Sequence, residues 1–132
     1  MSSIADVVDG LVDRITAALP TYTASPTFLH GEGLTQSSFP LAMVYDVSVE
    51  YTELDHGQRE ERTSARIGMI RSQSTANITQ MRTDIDTLDA NIRANGTLGG
   101  VVERTTVKTA ETEELHEDRV YGILDVETFE VT

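Results

Sequence analysis

The stretch Ala94-Asn95-Gly96-Thr97-Leu98-Gly99-Gly100-Val101-Val102 decides the fold, because it joins a helical pattern to a β pattern. Before it, five apolar residues recur at spacings that place them on one face of an α-helix: Ile78, Met81, Ile85, Leu88 and Ile92. Asn95-Gly96 should end this helix, and Gly99-Gly100 should supply a second tight bend. Leu98 lies between the two bends, and we expect it to be a buried plug.

Polar residues of the same helix fall on its other faces: Asp84, Asp86, Asp89 and Arg93. A second helix is predicted over residues 3–19, where apolar residues again follow helical spacing and Pro20 ends the pattern. Residues 41–51 alternate with a period of two, which is typical of a strand. Further strands are predicted over residues 63–71, 101–108 and 120–131. Residues 21–40 show little periodicity and indicate a long ordered connection, with a short extended piece at 27–30.

These elements predict one domain over residues 1–132, in the α+β class. The order α-β-β-α-β-β predicts a four-stranded, mainly antiparallel sheet with two helices packed on one face. The last strand is apolar on both faces, since Tyr121, Ile123, Phe129 and Val131 alternate against Val120, Leu124 and Val126. Such a strand indicates a contact outside its own sheet, for which another subunit is the natural candidate.

Composition narrows the class of protein. The chain has 22 acidic and 10 basic residues, a formal net charge of -12, and such a surface repels nucleic acid. Without cysteine it can form neither a disulfide nor a thiolate metal site. The N-terminus lacks the pattern of a signal peptide, and no stretch has the length of a membrane span. We therefore expect a soluble, cytoplasmically made protein.

The sequence offers little for catalysis. His30, His56 and His116 lie far apart in the chain, and their spacing in the sequence matches no recognised metal-binding motif. His56 and His116 could ligate a metal only if the two hairpin tips converged in space. Gly31-Glu32-Gly33 lacks the preceding strand and following helix of a phosphate-binding loop. No serine lies in a Gly-x-Ser-x-Gly pattern. We expect no enzyme activity, catalytic residue, cofactor or metal.

Two charged hairpin tips are the predicted contact sites, because loops carry contacts on a rigid scaffold. The first tip covers residues 52–62 and the second tip covers residues 109–119. The first mixes both signs of charge, which sets the orientation of a docking partner; the alternative is a solvated loop without a partner. The candidate partner-contact residues are Glu53, Asp55, His56, Arg59, Glu60, Arg62, Glu113, Glu114 and His116.

The order of these elements and the junction Thr97-Leu98-Gly99-Gly100-Val101-Val102 resemble the tail terminator, or tail-completion, proteins of long-tailed bacteriophages. The resemblance implies a ring of six subunits at the head-proximal end of the tail tube. The ring would stop tube growth and join the tail to the head. Its implied partners are copies of itself, the tail tube protein and a head-tail connector or stopper protein, with DNA passing through an anionic lumen without sticking. The implied location is the tail or neck of the virion, after synthesis in the host cytoplasm.

Two alternatives stay open at the level of sequence. Another head-tail connector, such as a stopper or adaptor, would share the same size and acidity. A small acidic enzyme or ligand-binding domain would need a concave polar pocket.

Overall fold

The computed structural model describes residues 3–28, 39–72, 74–116 and 119–132. It confirms the α+β class. The elements in chain order are α1 (Ile4–Ala18), β1 (Thr23–Ser25), β2 (Leu41–Glu53), β3 (Arg59–Ser72), α2 (Thr75–Ala94), β4 (Arg104–His116) and β5 (Arg119–Val131). A short 3-10 turn, Asp55–Gly57, joins β2 to β3.

The sheet has five strands in the order β1-β2-β3-β5-β4, so the prediction of four strands and of the order α-β-β-α-β-β was wrong. The additional strand, β1, pairs in parallel with the start of β2, whereas the other neighbours are antiparallel. It lies at Thr23–Ser25, not at 27–30, and Leu29 and His30 fall outside the described residues. Three residues are too few for a periodic pattern, which is why the sequence gives no signal for this strand.

The β3–β5 pair runs without interruption from Glu60↔Val131 to Ser72↔Arg119. This pairing, together with β2, draws most of the predicted first tip into the sheet, leaving only residues 54–58 as a turn. The second tip is likewise mostly strand, because β4 continues to His116 and β5 begins at Arg119. Both tips were predicted too long because their polar residues were taken to indicate loops. Paired strands also accept polar residues where one face of the sheet is exposed.

Both helices pack on one face of the sheet, around a single core. A capping box at Ser3 and Asp6 begins α1, whose apolar stripe of Val7, Leu11 and Ile15 is buried. The sheet contributes alternating residues to the same core: Ala42, Val44, Ala65, Ile67, Met69, Val120, Leu124 and Val126. We call the opposite side of the sheet the open face. No helix in the described part of the chain is long and apolar enough to cross a membrane.

The junction after α2 confirms that Leu98 is buried, with 4% of its surface exposed. Its backbone has a φ of 50°, and Gly99 and Gly100 follow at 74° and 94°. The left-handed bends therefore lie at 98–100 rather than at Gly96, and the next strand begins only at Arg104. Leu98 packs against α1 at Gly10, where a Cβ would lie 3.0 Å from the Leu98 Cβ. Because Gly10 has no side chain, Leu98 of the junction that follows α2 can pack closely against α1.

The alternation of β2 is interrupted by a bulge, which the sequence pattern did not reveal. Asp46 has a φ of 51°, and the register with β3 shifts between Tyr45 and Ser48. One extra residue reverses the side-chain phase. Consequently Tyr45 lies on the open face, whereas Val49 and Tyr51, expected on the same side, lie on the helix side.

A buried polar network ties α2 to β3 and to the turn after α1. The Tyr22 hydroxyl donates to Asp84 Oδ2 at 2.6 Å, and Arg71 Nη1 donates to the same oxygen at 3.2 Å. Gln80 donates to the other Asp84 oxygen at 2.7 Å. Burial raises the pKa of Tyr22, and the hydrogen bond to Asp84 raises it further, so its phenol stays a donor. Asp84 is 5% exposed and is not one of the outward-facing residues of α2.

Asp84→Ala should lower the free energy of unfolding by about 3–5 kcal/mol, because it leaves Arg71 partly buried without its carboxylate. Asp86→Ala, two residues away on the exposed side of the same helix, should change it by less than about 0.5 kcal/mol. Urea denaturation of both variants at neutral pH measures the difference. Equal effects of the two variants would contradict a stabilising role for the network.

Leu98→Ala should cost about 2–5 kcal/mol, as expected when a buried leucine is truncated and its cavity persists. Leu88→Ala truncates a fully buried leucine of α2 and should lower the free energy of unfolding by a similar amount, so it serves as the comparison. Denaturation midpoints of the two variants give the comparison. An unchanged midpoint for Leu98→Ala alone would show that the junction does not hold the helices together.

Candidate interaction surfaces

The structure places the predicted contact residues at two opposite ends of the sheet. Asp55 and His56 lie in the β2–β3 turn, beside the C-terminal end of β5, since Arg59 and Thr132 exchange backbone hydrogen bonds. Glu113, Glu114 and His116 lie in β4 towards the other end, and their side chains fall outside the described residues. The thirteen residues of β5 separate the two ends by about 40 Å at the usual rise per residue.

This separation rules out a metal site built from converging tips, because His56 and His116 lie at opposite ends. Across the described residues, no group of three or more histidine and acidic side chains is placed to hold a metal ion. His30 and Gly31-Glu32-Gly33 lie outside the part of the chain that the structure describes.

The β2–β3 turn is closed by a backbone hydrogen bond of 2.9 Å from Leu54 N–H to the Gln58 carbonyl. His56 and Gly57 both have positive φ, which permits the sharp reversal. Asp55, His56 and the adjacent Glu53 are exposed. Leu54 is also exposed, by 39%, and the sequence analysis overlooked it among its charged neighbours. The turn therefore presents an apolar side chain within a polar rim.

Beside this turn, on the helix side, lies a groove of about 380 Å³ that we call the helix-side groove. Arg59 Nη2 donates to Glu61 Oε1 at 2.8 Å, and the Arg59 guanidinium lies 4.1 Å from the centre of the Tyr51 ring. Glu61 is 7% exposed, whereas Tyr51 and Ile4 are exposed by 51% and 48%. Arg59 was predicted as a contact residue of a loop, but it lies in β3. The bulge in β2, which the sequence did not reveal, brings Tyr51 to the same side of the sheet.

Glu60 and Arg62 point to the open face. Arg62 bonds Glu60 on its own strand and Glu127 on β5, the latter at 3.1 Å. The ring of Phe129 lies between two guanidinium groups, with Arg62 and Arg104 at 5.0 and 4.3 Å from its centre. These pairs hold charged side chains in fixed positions over an aromatic ring.

A second charged row crosses the middle of the open face. Arg66 Nε donates to Asp125 Oδ1 at 2.8 Å, Thr109 donates to the other Asp125 oxygen at 3.0 Å, and Asp46 lies 3.6 Å from Arg66. The hydrogen bond from Arg66, followed by that from Thr109, holds the pKa of Asp125 below its usual value, against the opposing effect of burial.

The remainder of the open face is an apolar cluster formed by Leu41, Met43 and Ile70, with Phe39, Tyr45 and Tyr121 packed against it. The register confirms that Tyr121, Ile123 and Phe129 share this face, opposite Ile70, Gly68 and Arg62. The Phe28 ring packs against the Tyr45 ring at a tilt of 58°, with the ring centres 5.2 Å apart, and Phe28 is half exposed. The open face thus has an apolar end and a charged end, and neither helix packs against it.

No protein-family model matches the chain, and a search of curated proteins finds no match. The resemblance to tail terminators therefore stays an expectation from the sequence, based on the residues of the 97–102 junction.

The Arg66–Asp125 pair predicts a pH-dependent stability. Because folding lowers the pKa of Asp125, its contribution is present above the unfolded value, about 3.9, and is lost as pH falls through the lower folded value. Asp125→Asn should therefore be less stable than the wild type at pH 7, and the difference should shrink below about pH 4. Urea denaturation across this pH range tests it. A difference that grows towards low pH would contradict the assigned sign.

Proposed function

We propose that the chain is a structural ring subunit at the head-proximal end of a phage tail tube, where it stops tube growth and joins the tail to the head. The open face carries this proposal, because it combines an apolar cluster with fixed charges on a surface that neither helix packs against. Apolar and aromatic centres with polar rims are typical of protein interfaces. The 97–102 junction supplies the link to tail terminators.

In this proposal, the open face mediates contact between ring subunits. Tyr121 and Ile123 on β5 supply the apolar part, and the Arg66–Asp125 pair supplies fixed charges. The β2–β3 turn, with exposed Leu54 beside Asp55 and His56, faces the tail tube protein. A connector or stopper protein binds the other side of the ring. The acidic composition lets DNA pass without sticking.

Mixing the chain with tail tubes from the same phage should give rings, six-fold in projection, at one end of each tube. Electron microscopy counts the capped ends. Leu54→Ser should leave the free energy of unfolding within about 0.5 kcal/mol and lower the fraction of capped tubes. Gln58→Ser, at the other side of the same turn, is the matched control and should cap normally.

The same mixture separates the proposal from other head-tail connectors. A stopper or adaptor would leave tubes uncapped and would instead sediment with the portal complex. A complex of one chain with one tube subunit, without a ring, would contradict the proposal.

A further inference from the structure

The helix-side groove contains an unsatisfied hydrogen-bond donor. Arg59 Nε is shielded from solvent and has no hydrogen-bond partner among the described residues. The same guanidinium is held on one side by Glu61, through Nη2, and on one face by Tyr51. Buried donors without an acceptor are uncommon and carry a desolvation cost. The Arg59 side chain is 32% exposed and lines the groove, so a ligand reaches Nε only if the guanidinium shifts.

The charges around Arg59 define the acceptor that would satisfy it. Glu61 already neutralises the guanidinium, and a second acid, Glu130, also lines the groove. A ligand carboxylate would add a further negative charge beside these two acids, whereas a neutral carbonyl would not. The groove therefore favours an uncharged carbonyl oxygen, such as that of a peptide bond.

The walls of the groove define the rest of the ligand. Val7, Val49 and Val102 line it, and Ile4 and Tyr51 stand half exposed at its sides. These two are among the few large apolar side chains that are exposed in the described part of the chain. Apolar area that remains in water in the free protein is the area that binding removes from water. An aliphatic side chain complements these walls.

We propose that the helix-side groove binds an extended peptide segment of a partner protein, through one aliphatic side chain and a neighbouring backbone carbonyl that accepts from Arg59. Binding shifts the guanidinium so that Nε faces the ligand, and Glu61 remains beside the shifted group as its counter-charge. This inference does not depend on the phage role, because the groove lies on the helix side and its ligand can be supplied as a short peptide.

The test is an NMR titration of the ¹⁵N-labelled chain with the capped peptide acetyl-Gly-Leu-Gly-amide. Shifts should concentrate on the amides of Val7, Val49 and Thr63 and on the Arg59 Nε–H signal, with a dissociation constant on the order of 1 mM, as for a small ligand. Acetyl-Gly-Gly-Gly-amide should bind much more weakly because it lacks the side chain. Acetyl-leucine with a free carboxylate should also bind more weakly.

Two variants test the two halves of the site. Arg59→Lys keeps the positive charge beside Glu61 but removes the Nε donor, and should weaken binding about tenfold; Arg93→Lys, on the exposed part of α2, should not. Ile4→Ser should weaken binding because it removes an apolar side chain from the wall of the groove. Phe28→Ser should not, because Phe28 is equally exposed but lies on the open face. Thermal melts establish that each variant is folded.

Several results would overturn the proposal. These are an absence of shifts in the groove at saturating peptide, equal binding of the glycine peptide, tighter binding of the carboxylate, or shifts that map to the open face. Contacts showing that another segment of this chain already fills the groove would also overturn it. If Arg59→Lys proves unfolded, the peptide affinities of Ile4→Ser and Phe28→Ser are compared instead, and equal affinities would overturn the proposal.

Discussion

The pairing between β3 and β5 is the constraint on which the rest of the structure depends. In the sheet order it joins the two hairpins, and it is unbroken from end to end, whereas the outer pairs β2–β3 and β4–β5 contain register shifts. A slip of one residue would turn Ile67 and Leu124 from the core to the open face, so the core strongly specifies this register. Because β3 and β5 run antiparallel, the hairpin ends that precede them lie at opposite ends of the sheet, which separates the possible contact sites.

The shift in β2 and the first of the two shifts in β4 lie at the level of the Arg66–Asp125 pair. The shift in β2 begins after Tyr45, which pairs with Arg66, and the shift in β4 ends at Thr109, which pairs with Asp125. Bulges increase the local twist and bend of a strand. The two outer strands therefore change direction beside the central ion pair, and Asp46 and Thr109 both come within reach of it.

The sequence predicted the features that depend on long periodic patterns, namely both helices, the apolar stripe of α2, the buried Leu98 and the two faces of β5. It failed where a single residue or a tertiary partner decides the structure. The bulge at Asp46 reverses the phase of β2 without any compositional signal, and Asp84 is buried because Tyr22 and Arg71 reach it from distant parts of the chain. For the same reason, the sequence identified Arg59 as a contact residue but not the groove around it.

The distribution of charge bears on how such an acidic chain can associate at all. On the open face, arginines are paired with acids, as in Arg62 with Glu127 and Arg66 with Asp125. The exposed side of α1, by contrast, carries Asp6, Asp9 and Asp13, with a single base, Arg14, in the helix. Because exposed charges repel within about 10 Å at moderate salt, two chains meet less repulsion over the open face than over α1. The open face thus combines paired charges with an apolar cluster, whereas the exposed side of α1 carries acids in excess.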